Sequence, residues 1–402
     1  MIDASQPRLA RGKLPAGILA TALIALLAFA PLASASPDPV GSGSTTVTLN
    51  NGWVNYLKTF GIKVQKEGAT KIKGKAATFT NTGGSLDPTT GLGEVTLGGG
   101  LKFKAGKKTA KVNGLSLDTN KKALFAKVSG KKVKFAAIAG WSQTRNGFGV
   151  NLTINKLKLT NAAATQLNKK TGYAKGKPKP FLKNKLIGKG TSDVQPSTVA
   201  VVPTGTASLA LSIQAVEKLS KVGPEMAPGV WPFAVKLGIA PPTTVTNPGP
   251  PPTVAFPLGP EGTIGPAGNS GVIKTLGGLT LTQDLELAGK GTTTLTMGNI
   301  WIDLGTKQAS VEVTIANPKT PEANLGNLGR ASIADFVVGP VTIDSANRTV
   351  SVTNASATLQ AVTAETLNQV FIKPLEGTFG PDDVQFAAGD PLGTFSFTAQ
   401  GQ

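Results

Sequence analysis

Apolar and polar residues alternate along most of this chain. Val112, Leu115 and Leu117, then Leu124–Val128, Val133–Phe135, and Val150, Leu152, Ile154, Leu157 and Leu159 follow a period of two. Thr294–Met297, Trp301–Leu304, Val311–Ile315, Val341–Ile343 and Val350–Val352 do the same further on. Such segments are strands with one buried and one solvated face. Asp118–Lys121 and Ser129–Lys131 supply hairpin turns. One early stretch breaks the alternation. In Asn51–Phe60 the residues Trp53, Tyr56, Leu57 and Phe60 recur at i, i+3, i+4 and i+7, which predicts a short helix laid against a sheet. Asn161–Asn168 and Ala361–Asn368 read as further short helices, with Asn161 and Thr363 as capping candidates.

The pattern occurs twice. Gly84, Gly93, Val95, Gly99, Gly100, Leu101 and Phe103 return as Gly262, Gly271, Ile273, Gly277, Gly278, Leu279 and Leu281, at an offset of 178. Leu115–Asp118 matches Ile300–Asp303 at 185, and Val150, Leu159, Ala164, Leu167 and Asn168 match Val350, Leu359, Ala364, Leu367 and Asn368 at 200. Order is kept while loops lengthen, as in a duplicated domain. The expected fold is all-β: two tandem β-sandwich or open-barrel modules with a few short helices. The boundaries read as a signal peptide at 1–35, a basic module at 36–200 and a mildly acidic module at 201–402. Tyr173–Gly190, rich in lysine, is expected to be extended and mobile. Pro241–Pro260 is expected to be an insertion loop, since proline is excluded from central strands.

Charge separates the two copies. Residues 36–200 carry 28 basic and 6 acidic groups, a net +22, whereas residues 201–402 carry 10 basic and 15 acidic groups, a net −5. The first module should attract anionic partners such as envelope polymers. The plainer reading of the same lysines is a solvated surface. Arginine is nearly missing there and aromatics do not interleave with the lysines, so a nucleic-acid partner is not expected. Arg8, Arg11 and Lys13 precede the uncharged run Leu14–Ala35, which ends in Ala33-Ser34-Ala35. This is an export signal, with cleavage expected after Ala35 and no transmembrane span left afterwards. The expected location is secreted or cell-surface, in a bacterium.

The chain has neither cysteine nor histidine. Disulfides, thiolate metal sites, histidine zinc sites and Ser-His-Asp chemistry are therefore excluded. Ser129 and Lys132 have a Ser-x-x-Lys spacing but fall in a hairpin turn, and Asp87 and Asp382-Asp383 read as turn residues. No phosphate-binding glycine motif is present. The chain is read as a non-enzyme with no metal site.

Trp53-Val54-Asn55-Tyr56-Leu57, then Ser85-Leu86-Asp87-Pro88-Thr89-Thr90-Gly91 leading into Val95–Phe103, then Leu115–Asp118, resemble the HtaA-type domain, a haem-transport-associated module of Gram-positive surface proteins. The likeness covers most of residues 45–170 and, more loosely, 206–372. It implies an exported β-sandwich-like module, some members of which bind haem through a tyrosine near the domain start, assisted by a histidine. Tyr56 falls on that tyrosine, and a phenolate is a known axial ligand of ferric haem. A free phenol ionises only near pH 10, so a neighbour must stabilise the anion. With no histidine, Lys58 and Arg145 are the candidates, with Trp53 as a supporting aromatic. The plainer reading of Tyr56 is a packed aromatic with its hydroxyl at the rim. At an offset of 160 the second copy has Ile213 and Val216 in these places, hence no tyrosine and no iron ligand of this kind.

Two functions are carried forward. The first is a binding protein that takes haem or another anionic ligand in its first module. The alternative is a structural or adhesive surface protein that associates with anionic envelope polymers without haem.

Overall fold

A computed structural model describes residues 37–173, 178–320, 324–379 and 384–402. The export signal, Lys175, Lys177 and Asp382-Asp383 lie outside the described residues. Residues 37–402 form one compact unit built from two large antiparallel sheets.

The first sheet takes strands β1 (Asp38–Leu49), β2 (Ile62–Glu67), β3 (Lys71–Lys73), β4 (Ala76–Leu86), β5 (Gly93–Ala105) and β6 (Lys108–Asp118). It continues with β7 (Ala123–Val128), β8 (Lys131–Ile138), β9 (Trp141–Asn146), β10 (Gly149–Leu159) and β11 (Leu186–Pro196). Hydrogen bonding runs β5-β6-β7-β8-β10-β11-β1-β4, and β4 pairs back onto β5, so the sheet closes on itself as a barrel. Closure removes the unpaired edges that an open sheet would present. Helices α1 (Asn51–Thr59) and α2 (Asn161–Thr171) pack against this barrel. Its interior is one continuous apolar cluster that includes Trp53, Leu57, Phe79, Phe103 and Phe181.

The second sheet repeats that order. It takes β13 (Thr206–Leu211), α3 (Ile213–Ser220), β14 (Lys236–Ala240), β15 (Thr244–Asn247) and β16 (Thr253–Pro257), while β12 (Val199–Ala200) and β17 (Thr263–Ile264) pair with each other as a separate two-stranded sheet. Then come β18 (Val272–Lys274), β19 (Gly278–Asp284), β20 (Thr292–Asp303), β21 (Gln308–Ala316), β22 (Gly326–Val337) and β23 (Val341–Asp344). β24 (Thr349–Leu359), α4 (Ala361–Leu367), α5 (Lys373–Phe379) and β25 (Pro391–Gln400) complete it. The path β19-β20-β21-β22-β24-β25-β13-β16 parallels that of the first barrel, but its seam is laced only around a Leu258–Thr275 bridge. The all-β, two-module architecture expected from the alternation is the architecture found.

Details of hydrogen bonding are duplicated too. Thr70 Oγ1 accepts from the Gly100 amide at 2.7 Å, and Thr243 Oγ1 accepts from the Gly278 amide at 2.8 Å. Asn168 donates to the Phe181 carbonyl at 2.8 Å and accepts from its amide at 3.1 Å. Asn368 holds Phe386 in the same two-way clamp, at 2.9 Å each way. Asn168 and Asn368 are matched residues of the sequence repeat, and each turns the chain after a helix back into its barrel.

Several expectations are corrected. Pro241–Pro260 is not an insertion loop: it holds β15 and β16, and β16 pairs with both β13 and β15, as β4 pairs with β1 and β3. Its prolines cluster in the connections and at the last residue of β16, where no ladder amide is needed. Tyr173–Gly190 is not a mobile tether in its described part. Phe181 is buried in the core and Leu186–Gly190 belong to β11. Thr160, not Asn161, caps α2, with its hydroxyl accepting from the Ala163 amide at 3.2 Å. Gln360, not Thr363, holds the cap position of α4, without a side-chain hydrogen bond. None of the described helices is long and apolar enough to cross a membrane.

Candidate functional site

Helix α1 is fixed at its start by Asn50, whose side chain accepts from the Trp53 amide at 3.0 Å. The helical period then divides its residues. Trp53 and Leu57 face the barrel and are buried at 1% and 0% exposure, while Tyr56 and Phe60 are half-buried at the rim. Three rings meet there edge to face. Tyr56 and Phe60 lie 5.1 Å apart between centroids, and Phe60 and Tyr173 lie 5.7 Å apart. The Tyr173 hydroxyl donates to the Phe60 carbonyl at 2.8 Å, tying the end of α2 to the end of α1. Tyr173 is thus a packed element of this cluster rather than an exposed aromatic.

The Tyr56 hydroxyl makes no hydrogen bond to any described residue. A cation stands over its ring: Lys185 Nζ is 5.6 Å from the ring centroid. Lys185 lies immediately before β11, and no sequence spacing ties it to Tyr56. Only folding of β11 beside β1 brings the two together.

The other candidates sit elsewhere. Trp53 is a core residue, packed edge-on against Phe103 at 5.9 Å, and its indole nitrogen has no hydrogen-bond partner among the described residues. Lys58 is exposed, and two helical positions past Tyr56 it points about 200° round the axis. Arg145 is excluded as a partner of Tyr56. It pairs with Val150, which pairs with Val194, which pairs with Gly43. Gly43 lies six residues, about 20 Å, before the end of β1, which α1 follows. Arg145 instead donates to the Gln402 carbonyl at 2.7 Å. Ser129 lies in the turn between β7 and β8, where it accepts from the Lys111 amide at 3.3 Å, and Lys132 is on β8 opposite Lys127. Asp87 accepts from the Thr89 and Thr90 amides at 2.7 and 3.1 Å, the geometry of a capped turn.

The second copy corrects the offset used for α1. Ser212 caps α3 by accepting from the Ala215 amide at 2.9 Å, just as Asn50 accepts from Trp53. Aligned on their caps the helices differ by 162, not 160. The counterparts of Trp53, Tyr56 and Leu57 are therefore Ala215, Lys218 and Leu219. The second copy still lacks a tyrosine, but it also lacks the core indole. A cavity of about 220 Å³ lies in that module, lined in part by Ala215, Lys218 and Leu219.

No family model matches this chain, and no curated protein matches it. Among solved structures it is similar to the C-terminal domain of HtaA from Corynebacterium glutamicum, at 14% identity over 50% of this chain and 98% of that domain, with a TM-score of 0.32. It is also similar to the heme binding protein HtaB from Corynebacterium glutamicum, at 16% identity over 51% of this chain and 95% of that one, with a TM-score of 0.32.

Proposed function

We propose that this chain is an exported, non-catalytic binding protein whose first module takes a haem-like anionic ligand at Tyr56. The observation that carries the reading is the placement of Tyr56: half-buried at the rim, with its hydroxyl making no hydrogen bond to any described residue. A hydroxyl left free of the fold in this way is available to a ligand. The donor chemistry fits ferric haem, for which a phenolate oxygen is an accepted axial ligand. Lys185 brings positive charge to the ring, and the surrounding surface lysines attract carboxylates. α1 holds the phenol on a rigid, capped element, and the Phe60–Tyr173 contact keeps that element seated.

The test is a titration of the purified chain with ferric haem, read as the Soret band. A saturable shift that is lost in Tyr56→Phe and weakened in Lys185→Ala is the expected result. No shift, or one identical in Tyr56→Phe, removes haem from the reading.

One feature favours the adhesive reading. Lys63 faces Lys104, and Lys127 faces Lys132, directly across neighbouring strands, with no acidic partner among the described residues. Apart from Lys102, every described lysine of residues 36–200 is exposed. Like charges directly opposite each other oppose folding, and a polyanion laid over them relieves that repulsion. Retention on anionic wall polymer that disappears in moderate salt, and persists in Tyr56→Phe, supports this second reading.

A further inference from the structure

The two barrels differ most inside. In the first, Trp53 reaches from α1 into the centre and meets Phe103, which in turn meets Phe181 at 5.4 Å. The whole interior is one cluster. In the second, the places of Trp53 and Phe103 are taken by Ala215 and Leu281. Elsewhere enlargement offsets only part of the loss: Leu295 and Met297 stand where Ala110 and Val112 stand in the first barrel. The apolar interior is divided into separate clusters, one around Ile302 and Phe395 and another around Leu281 and Phe386. Residues from both line the cavity.

Strands of the second barrel wall the cavity. Its wall follows β20 from Leu295 to Ile302 and β21 from Ala309 to Val313. At about 3.3 Å per residue those spans are about 23 and 13 Å of strand. A slender apolar guest matches a volume of about 220 Å³ against walls of that length. For comparison, an engineered apolar cavity of about 150 Å³ stays dry and takes up benzene.

The mouth is also marked. α1 buries Trp53 and Leu57, but α3 has no fully buried residue, and its apolar side over Ala215, Val216 and Leu219 is left half-exposed. Beside it on the cavity rim, Leu328 and Val362 are 50% and 72% exposed. Lys218 and Asp390 pair across the rim at 2.5 Å. One wall residue, Ser332, has a buried hydroxyl without a hydrogen-bond partner among the described residues.

We infer that the second module binds a single unbranched aliphatic chain, of the fatty-acyl class, threaded under α3 into the volume that Trp53 fills in the first module. An unfilled core loses stability in proportion to its volume, and a ligand held only by the folded state restores it. The chemistry of the natural filler, an apolar side chain entering from this helix, is the chemistry the empty counterpart selects. This inference is independent of haem binding, which belongs to the other module.

The full chain would be titrated with cis-parinaric acid, whose fluorescence rises in an apolar channel, and separately with phosphatidylcholine vesicles. Saturable uptake of the free acid, at least tenfold weaker in Ala215→Trp, is the expected result. Leu281→Phe, which restores the other lost ring, should weaken uptake as well, with folding of each variant verified by circular dichroism. Tyr56→Phe should leave uptake unchanged. Uptake from vesicles assigns the chain to a membrane lipid, and uptake of the free acid alone assigns it to a fatty acid. Absence of saturable uptake by the unaltered chain, or equal uptake by both folded cavity-filling variants, overturns the inference.

Discussion

Trp53 and Ala215 occupy one position on two copies of the same helix, so each is a natural control for the other. Trp53→Ala should open in the first barrel the kind of void already present in the second. Truncating a buried tryptophan costs about 3–5 kcal/mol, and urea unfolding of the variant should show a loss of that size. A loss below about 1 kcal/mol would mean that the barrel collapses around the gap. Asp38 makes a second residue-scale case. It is 7% exposed, one of its carboxylate oxygens has no hydrogen-bond partner among the described residues, and burial, opposed by Arg145, pushes its pKa up to about 6. In the unfolded chain the group titrates near pH 3.9. The folded state therefore holds the proton more tightly between about pH 4 and 6. Stability from this group is full below that window and is lost as pH rises through it, by up to about 3 kcal/mol. Asp38→Asn should flatten the slope of unfolding free energy across pH 4–6, and an unchanged slope would place the proton elsewhere.

At the scale of elements, the two helices that follow β1 and β13 share a cap and a period but not a burial. α1 is pinned by two large apolar side chains, whereas α3 rests on half-exposed ones. Amide exchange in α3 is expected to be faster than in α1, because local opening is governed by buried apolar contact. The strands carry a different tension. Lys63 opposite Lys104 and Lys127 opposite Lys132 place equal charges at neighbouring rungs, while Lys102 and Lys111 are bridged by Glu67 at 2.6 and 3.7 Å. Lys104→Glu should create a favourable cross-strand pair and stabilise the first barrel by about 0.2–1 kcal/mol. The gain should shrink in high salt, and a gain independent of salt would point to packing instead.

The two barrels share more than sequence at the scale of the molecule. Phe148, in the turn between β9 and β10 of the first sheet, is buried in a core cluster of the second. Arg145 of the first module reaches the Gln402 carbonyl of the second. Phe148→Ala should therefore destabilise the second barrel by about 3–5 kcal/mol although the residue lies in the first. Domain-resolved amide exchange measures this, and a loss confined to the first barrel would contradict the packing. The thinner seam of the second barrel and its divided interior agree with that module being the one that opens to a guest.

Alternation of small apolar and polar residues was enough to read two copies of an all-β module, because a period of two leaves a strand only one way to bury its face. The glycines and the Asn168 and Asn368 pair were equally legible, since each answers a backbone requirement that recurs in both copies. Three matters needed the folded chain. The offset of α3 became certain only when Asn50 and Ser212 were seen to cap equivalent turns. The strands within Pro241–Pro260 were hidden because proline is judged by composition, whereas its cost depends on whether the particular amide faces a neighbour. The pairing of Tyr56 with Lys185, rather than Lys58 or Arg145, depends on β11 lying beside β1, a contact between residues far apart in the chain. The cavity is the clearest instance of that division. An alanine at position 215 is unremarkable in sequence, and it becomes a vacancy only where a closed sheet surrounds it and its twin is a tryptophan.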